Sequence, residues 1–122
     1  MESPFKGKTG IKRLINAFGY SIEGFKIAFQ KEDAFRQECY LSTILIPLGF
    51  YLATSTIELS LLMGSILFVL IVELLNSSIE AAIDRISLEK HHLSKRAKDI
   101  GSAAVFLAIL NATLIWFAIL FF

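Results

Sequence analysis

The stretch Glu58–Ile86, ELSLLMGSILFVLIVELLNSSIEAAIDRI, decides how this chain is read. Leu59 to Val72 is fourteen uncharged residues, too short alone to cross a bilayer. Glu73 then interrupts the run, but a helical pattern continues to about Ile86. Read as one helix, the segment crosses the hydrocarbon and projects beyond it. Charged groups inside such a helix are costly and default to function. Glu73, Asn76, Glu80 and Asp84 follow at steps of three, four and four. On a helix Glu73, Glu80 and Asp84 fall within about 40° of one line, with Asn76 one step to the side.

Upstream, Cys39 to Ile57 is nineteen residues without a charge, about the length that spans hydrocarbon. Pro47 lies inside it, which membrane helices tolerate. Asp33 is placed to cap its start, and Ala53 to Glu58 reads as a short turn. Downstream, Ile100 to Phe122 gives twenty-three uncharged residues. It opens with Gly101, Ser102, Ala103 and Ala104, small residues that let helix backbones approach closely. Asn111 and Thr113 are suited to bond a neighbouring helix. Before all of these, Ile11, Leu14, Ile15, Phe18, Ile22, Phe25 and Phe29 fall within about 60° of one line on a helix over Thr9 to Gln30. Lys12, Arg13, Asn16, Glu23 and Lys26 flank them, as expected of a helix lying in the membrane interface. Gly19 and Gly24 weaken this helix and mark a possible bend.

The 122 residues suffice for one domain, 55% of them are hydrophobic, and the mean hydropathy is +0.63. A soluble domain of this size needs more polar surface. The expected fold is therefore an all-α membrane protein: an interfacial helix over 9–30 and transmembrane helices over 35–54, 58–86 and 97–121. The polar stretch Met1 to Gly10 is no signal peptide, so insertion uses the internal helices. All twelve Lys and Arg fall in two blocks, Lys6 to Arg36 and Arg85 to Lys98. By the positive-inside rule the N-terminus and the 85–98 loop are cytoplasmic, and the C-terminus faces the other side. A net charge of +1 gives no reason to expect nucleic acid. One cysteine, Cys39, excludes an intrachain disulfide and reads as a small packing residue.

Depth separates the carboxylates. Glu73 lies roughly 22 Å along the helix from Glu58, just inside the cytoplasmic boundary, and Glu80 about 10 Å further out. A carboxylate in a dry place at that depth is suited to take a proton from a lipid hydroxyl. One at headgroup level suits Mg²⁺, which takes one or two carboxylates plus phosphate oxygens. Glu32, Asp33 and Glu38 are candidates for a second ligand. Lys95, Arg96, Lys98 and His91, in the adjoining loop, are what a polyphosphate needs; equally, they enforce topology and touch anionic lipid. His91 and His92 lack a zinc spacing. Neither a P-loop nor a G-x-G-x-x-G nor a protein-kinase motif occurs.

Glu73-Leu-Leu-Asn-Ser-Ser-Ile-Glu-Ala-Ala-Ile-Asp-Arg85 resembles the E-x-x-N-[ST]-[AS]-x-E-x-x-x-D signature of the prokaryotic diacylglycerol kinase family. Leu93-Ser-Lys-Arg-Ala-Lys-Asp-Ile-Gly-Ser-Ala-Ala-Val105 is similar to its second block, and Ala34-Phe-Arg-Gln-Glu38 to the Gram-negative branch that phosphorylates diacylglycerol. The likeness runs from about Ile11 to Trp116. It implies a homotrimeric bundle in the bacterial inner membrane, with active sites shared between subunits at the cytoplasmic surface and a periplasmic C-terminus. It implies ATP as co-substrate, Mg²⁺ as cofactor and phosphatidic acid as product.

By the same likeness Glu73 is the base, with Asn76 beside it orienting it, and Glu32 and Glu80 hold Mg²⁺ with ATP. Arg13, Tyr20, Glu89, His91, Lys98 and Asp99 match nucleotide positions. Ala17, Phe18, Gly19, Tyr20, Ser21, Ile22, Lys26, Phe29, Ala34, Phe35, Arg36, Gln37, Glu38, Glu73, Ser102 and Trp116 match lipid-side positions. Lys90, His92, Lys95 and Phe18 depart from the family pattern, which bears on nucleotide stacking and acyl-chain fit.

Three other readings compete. An undecaprenol kinase of the same family runs the same chemistry on a polyprenol. A small multidrug transporter wants its carboxylate near the midplane and no basic phosphate loop. A purely structural membrane protein gives no reason for Glu80 and Asp84 at headgroup level.

Overall fold

The computed structural model describes residues 9–122, so most of the polar stretch before Gly10 lies outside the described residues. Four helices account for nearly all of what is described: α1 (Gly10–Lys31), α2 (Asp33–Leu52), α3 (Thr56–Ile86) and α4 (His92–Phe121). Among the described residues there is no strand. The molecule is all-α, as the hydropathy pattern requires. α1 opens on Gly10 at φ 73°, a conformation glycine adopts without strain, and then runs unbroken through Gly19 and Gly24.

The links explain the helix ends. Between α1 and α2 a single residue, Glu32, is extended (φ −110°, ψ 106°). Asp33 is the first helical residue of α2 rather than its cap; it pairs with Arg36, and the N-cap residue Glu32 makes no side-chain cap bond. The Arg36 guanidinium donates to the Phe29 carbonyl (2.7 Å) and the Gln30 carbonyl (3.1 Å), satisfying acceptors that the end of α1 leaves open. Between α2 and α3, Ser55 caps α3 by accepting from the Glu58 N–H (3.1 Å). The Glu58 carboxylate reaches back to the Thr54 N–H (3.1 Å) and hydroxyl (2.9 Å), a reciprocal capping arrangement. Between α3 and α4, His91 Nδ1 accepts from the Leu93 N–H (3.1 Å) and caps α4.

Two boundaries differ from expectation. α4 begins at His92, five residues before 97, so Lys95, Arg96 and Lys98 stand on its first turns and not in a loop. A side-chain cap at His91 and the i,i+4 pair Lys95–Asp99 (2.6 Å) favour helix there. α2 ends at Leu52, so its uncharged part is fourteen residues, Cys39 to Leu52. The turn expected over Ala53 to Glu58 is the shorter link Ala53–Ser55, and α3 starts at Thr56. In consequence α3 and α4 are long and apolar enough to cross a membrane, while α2 carries Asp33, Arg36 and Glu38 in its first two turns.

Of the three pairs of consecutive helices, packing is strongest between α3 and α4, weaker between α2 and α3, and weakest between α1 and α2. The core within the chain is small. Leu62 (fully enclosed), Ile66, Ala108, Phe35 and Ala28 are its buried apolar residues. Large apolar side chains such as Phe50, Leu67, Phe106 and Leu107 stay exposed, and the α1 stripe is open too, with Ile11 at 76%. Apolar surface this continuous is covered by lipid or protein outside the chain.

Candidate functional site

The site is built on the second half of α3. Glu73 is buried, at 5% exposure, and its Oε2 has no hydrogen-bond partner among the described residues. A buried carboxylate without a partner is costly and marks a place with a job. The negative charges of Glu80, on the same helix, and Glu32, at the α1–α2 hinge, both reach it. Glu73 in turn acts on Glu38 of α2, whose Oε2 is also buried without a partner. Carboxylates from α2, α3 and the hinge therefore converge on one end of the bundle.

Asn76 donates through Nδ2 to Glu80 Oε1 (3.3 Å). The sequence led us to expect Asn76 to orient Glu73; the bond it makes is to Glu80. Its other amide atom, Oδ1, is buried against Gly101 of α4 without a partner. One turn beyond Glu80, Asp84 accepts from Lys98 Nζ (2.8 Å), pinning the start of α4 to the end of α3. Asp84, Glu89, His91, Lys98 and Asp99 line one cleft of about 560 Å³ around the α3–α4 link, together with Lys95. Four of the expected nucleotide residues are thus brought together. Lys90 and His92 line the same cleft. Arg13 and Tyr20 are not part of it; both are exposed on α1.

The lipid-side residues are divided among other clefts. Glu38 and Trp116 line a groove of about 380 Å³ between α2, α3 and α4, with apolar walls and Ser42 and Thr113 as polar points. Lys26, Phe29 and Phe35 line a second where α1 meets α2. Ser21 and Glu32 line a third, between α1 and α3. Ala17, Phe18, Gly19, Ile22, Ala34, Gln37 and Ser102 are exposed, and Arg36 is committed to the end of α1.

Glu32 and Glu80 offer hard carboxylate oxygens, while among the described residues no group of three or more His, Cys, Asp or Glu is placed to hold a metal ion. Two carboxylates leaving coordination positions to phosphate and water are what Mg²⁺ takes with a nucleotide.

Sequence reasoning missed two features here. Asp84 stood in the stripe without a role, and Lys98, expected beside the nucleotide, was not expected to pair with it. Trp116 Nε1 donates to Ser65 Oγ (3.1 Å) across α4 and α3, a pairing that no spacing within one helix announces.

The sequence model of the family described as prokaryotic diacylglycerol kinase matches residues 19–120. The chain belongs to that family. A diacylglycerol kinase of Pseudomonas aeruginosa is 56% identical over 118 residues, covering 97% of this chain and 96% of its own. One of Haemophilus influenzae is 52% identical over 114 residues (93% and 97%), and one of Escherichia coli K12 is 47% identical over 108 (88% of each). Membership makes the chain a kinase, and with the apolar α3 and α4 a membrane protein. It also weighs against the transporter and the purely structural readings.

Proposed function

We propose that this protein transfers the γ-phosphoryl group of ATP to the free hydroxyl of sn-1,2-diacylglycerol, giving phosphatidic acid and ADP. The observation that carries the reading is Glu73: a buried, unpartnered carboxylate two turns from Glu80, in a chain of this family. The relatives, named diacylglycerol kinases, support the lipid substrate.

In this reading Glu73 takes the hydroxyl proton as the hydroxyl oxygen bonds to the γ-phosphorus and the bond to the β-phosphate oxygen breaks. Glu80 and Glu32 hold Mg²⁺ with the triphosphate, and the ion supplies charge neutralisation to the transferring group. Lys98, His91, Glu89 and Asp99 bind the nucleotide around the α3–α4 link. The groove bearing Glu38 and Trp116 takes acyl chain. Little covalent chemistry is asked of the protein; positioning and charge do the work.

Three crossings fit the architecture: α2 turns into α3 through three residues and packs on it, so a crossing α3 brings α2 alongside. The open apolar faces of α2, α3 and α4 support a homotrimer with sites completed between subunits. The open α1 stripe supports a helix lying in the interface. The two basic blocks support a bacterial inner-membrane orientation with α1 and the α3–α4 link cytoplasmic and the C-terminus periplasmic.

The test is purified protein with labelled ATP and either diacylglycerol or undecaprenol in mixed micelles. Label is expected in phosphatidic acid. Label in undecaprenyl phosphate alone moves the substrate to a polyprenol, and no labelled lipid overturns the proposal.

A further inference from the structure

We infer that Gly101 is a positioning residue for Glu80: its missing side chain makes the space that the Asn76 amide occupies, and from that space Asn76 holds the Glu80 carboxylate. The inference rests on the reading above that Glu80 serves Mg²⁺–ATP.

Nothing in the backbone asks for glycine at 101. It lies inside α4, and Gly10 is the sole described residue with positive φ. In a helix interior glycine costs roughly 1 kcal/mol against alanine, so a reason must lie outside the helix. Gly101 is buried, and a Cβ placed on it collides with Asn76 Oδ1 and comes within 3.2 Å of Asn76 Cγ. The contrast with other helical glycines is direct: a Cβ on Gly19, Gly24 or Gly64 meets nothing within 4 Å. At Gly49 it meets the tip of Met63, a flexible chain that can turn aside. The Asn76 amide clears a Cβ at 101 only by turning about its side-chain bonds, and that turn carries Nδ2 with it. If the amide is pushed away, the bond from Nδ2 to Glu80 Oε1 (3.3 Å) goes with it. The amide already forgoes a partner for Oδ1 to sit there, a cost that makes sense where its donor end is needed. An Asp at 76 would instead set like charge against Glu80.

The test is a double-mutant cycle of Gly101→Ala and Asn76→Ala in the full chain. Two readouts are used: titration with Mg²⁺ and a non-hydrolysable ATP analogue, and the thermal unfolding midpoint. Each single variant is expected to bind the Mg²⁺–analogue about three- to tenfold more weakly, the size of one ordinary hydrogen bond. KM for diacylglycerol should stay within about twofold of wild type. The double variant should bind no worse than Asn76→Ala alone, because alanine at 101 then meets no amide. In the Asn76→Ala background, alanine at 101 should raise the unfolding midpoint through its helix propensity. If Gly101→Ala alone fails to fold, the double variant should fold. Additive losses, wild-type nucleotide binding by Gly101→Ala, or a double variant that stays unfolded each overturn the inference. If wild type itself binds no Mg²⁺–analogue, the Glu80 reading fails, and the midpoint cycle still reads whether Gly101 makes room for Asn76.

Discussion

The α3–α4 pair and the α1–α2 pair are each two helices joined by a short link, yet they are held in different ways. α3 and α4 are fastened at both ends, by Asp84–Lys98 near the link and Ser65–Trp116 far from it, with Asn76 against Gly101 between. Lys98 and Trp116 lie roughly 27 Å apart along α4 at 1.5 Å per residue. α1 is fastened to α2 chiefly at its end, where Arg36 takes the Phe29 and Gln30 carbonyls. Its packing is the weakest of the three pairs, and its apolar stripe is open. The stiff pair carries the carboxylate stripe, and the loose one carries Glu32 at its hinge. In the proposed reaction the carboxylates of α3 are thus held by the better-packed pair, while α1 is tied to the bundle mainly at its end.

The largest effect should come from the stiff pair. Glu73→Gln keeps shape and removes the base, so turnover should fall about 10²- to 10⁴-fold, while Mg²⁺–ATP binding and the helical fold persist. Turnover at the wild-type rate would remove Glu73 from the role. Next, Glu80→Ala should weaken Mg²⁺–ATP about tenfold while KM for diacylglycerol changes little. A nucleotide titration with unchanged affinity would take Glu80 out of the metal site. Glu32→Ala sharpens the comparison: a ligand on the single-residue link between α1 and α2 should contribute less to nucleotide affinity than one on α3, as read by the same titration.

How much of this was legible beforehand follows the same division. The stripe on α3 and the amphipathic face of α1 are properties of single helices, so periodicity displays them. The turn after α2 was expected near where it stands, while α4 begins earlier than 97 because Lys95–Lys98, placed in a loop for their charge, lie within a helix. The site showed the same limit. The stripe of Glu73 and Glu80, and the gathering of Glu89, His91, Lys98 and Asp99 around the link, were readable from spacing or resemblance. That Asn76 faces Glu80 and Gly101, that Arg36 ends α1, and that Trp116 meets Ser65 were not. Each depends on how two helices are rotated against one another, which one helix's pattern does not contain.

Arg36→Ala tests the loose pair. It uncovers two carbonyls at the end of α1, so amide exchange over the last turns of α1 should quicken about tenfold while α3 and α4 keep their protection. Equal quickening in all four helices would mean that Arg36 supports the whole bundle, and the contrast between the pairs would fall.

The smallest effect tests the far fastening. Trp116→Phe removes the Nε1 donor, and Ser65→Ala the acceptor. Interhelical hydrogen bonds inside membrane proteins contribute about 0.6 kcal/mol on average. Each variant should therefore lower stability in detergent by about that much, and the double variant by no more than the larger single loss. The Trp116 ring also lies beside Gly49, where a Cβ would come within 3.5 Å of it. If Trp116→Phe costs several times more than Ser65→Ala, packing on α2 outweighs the bond to α3. The far end would then be a three-helix joint, and the stiffness assigned to α3 and α4 would extend to α2.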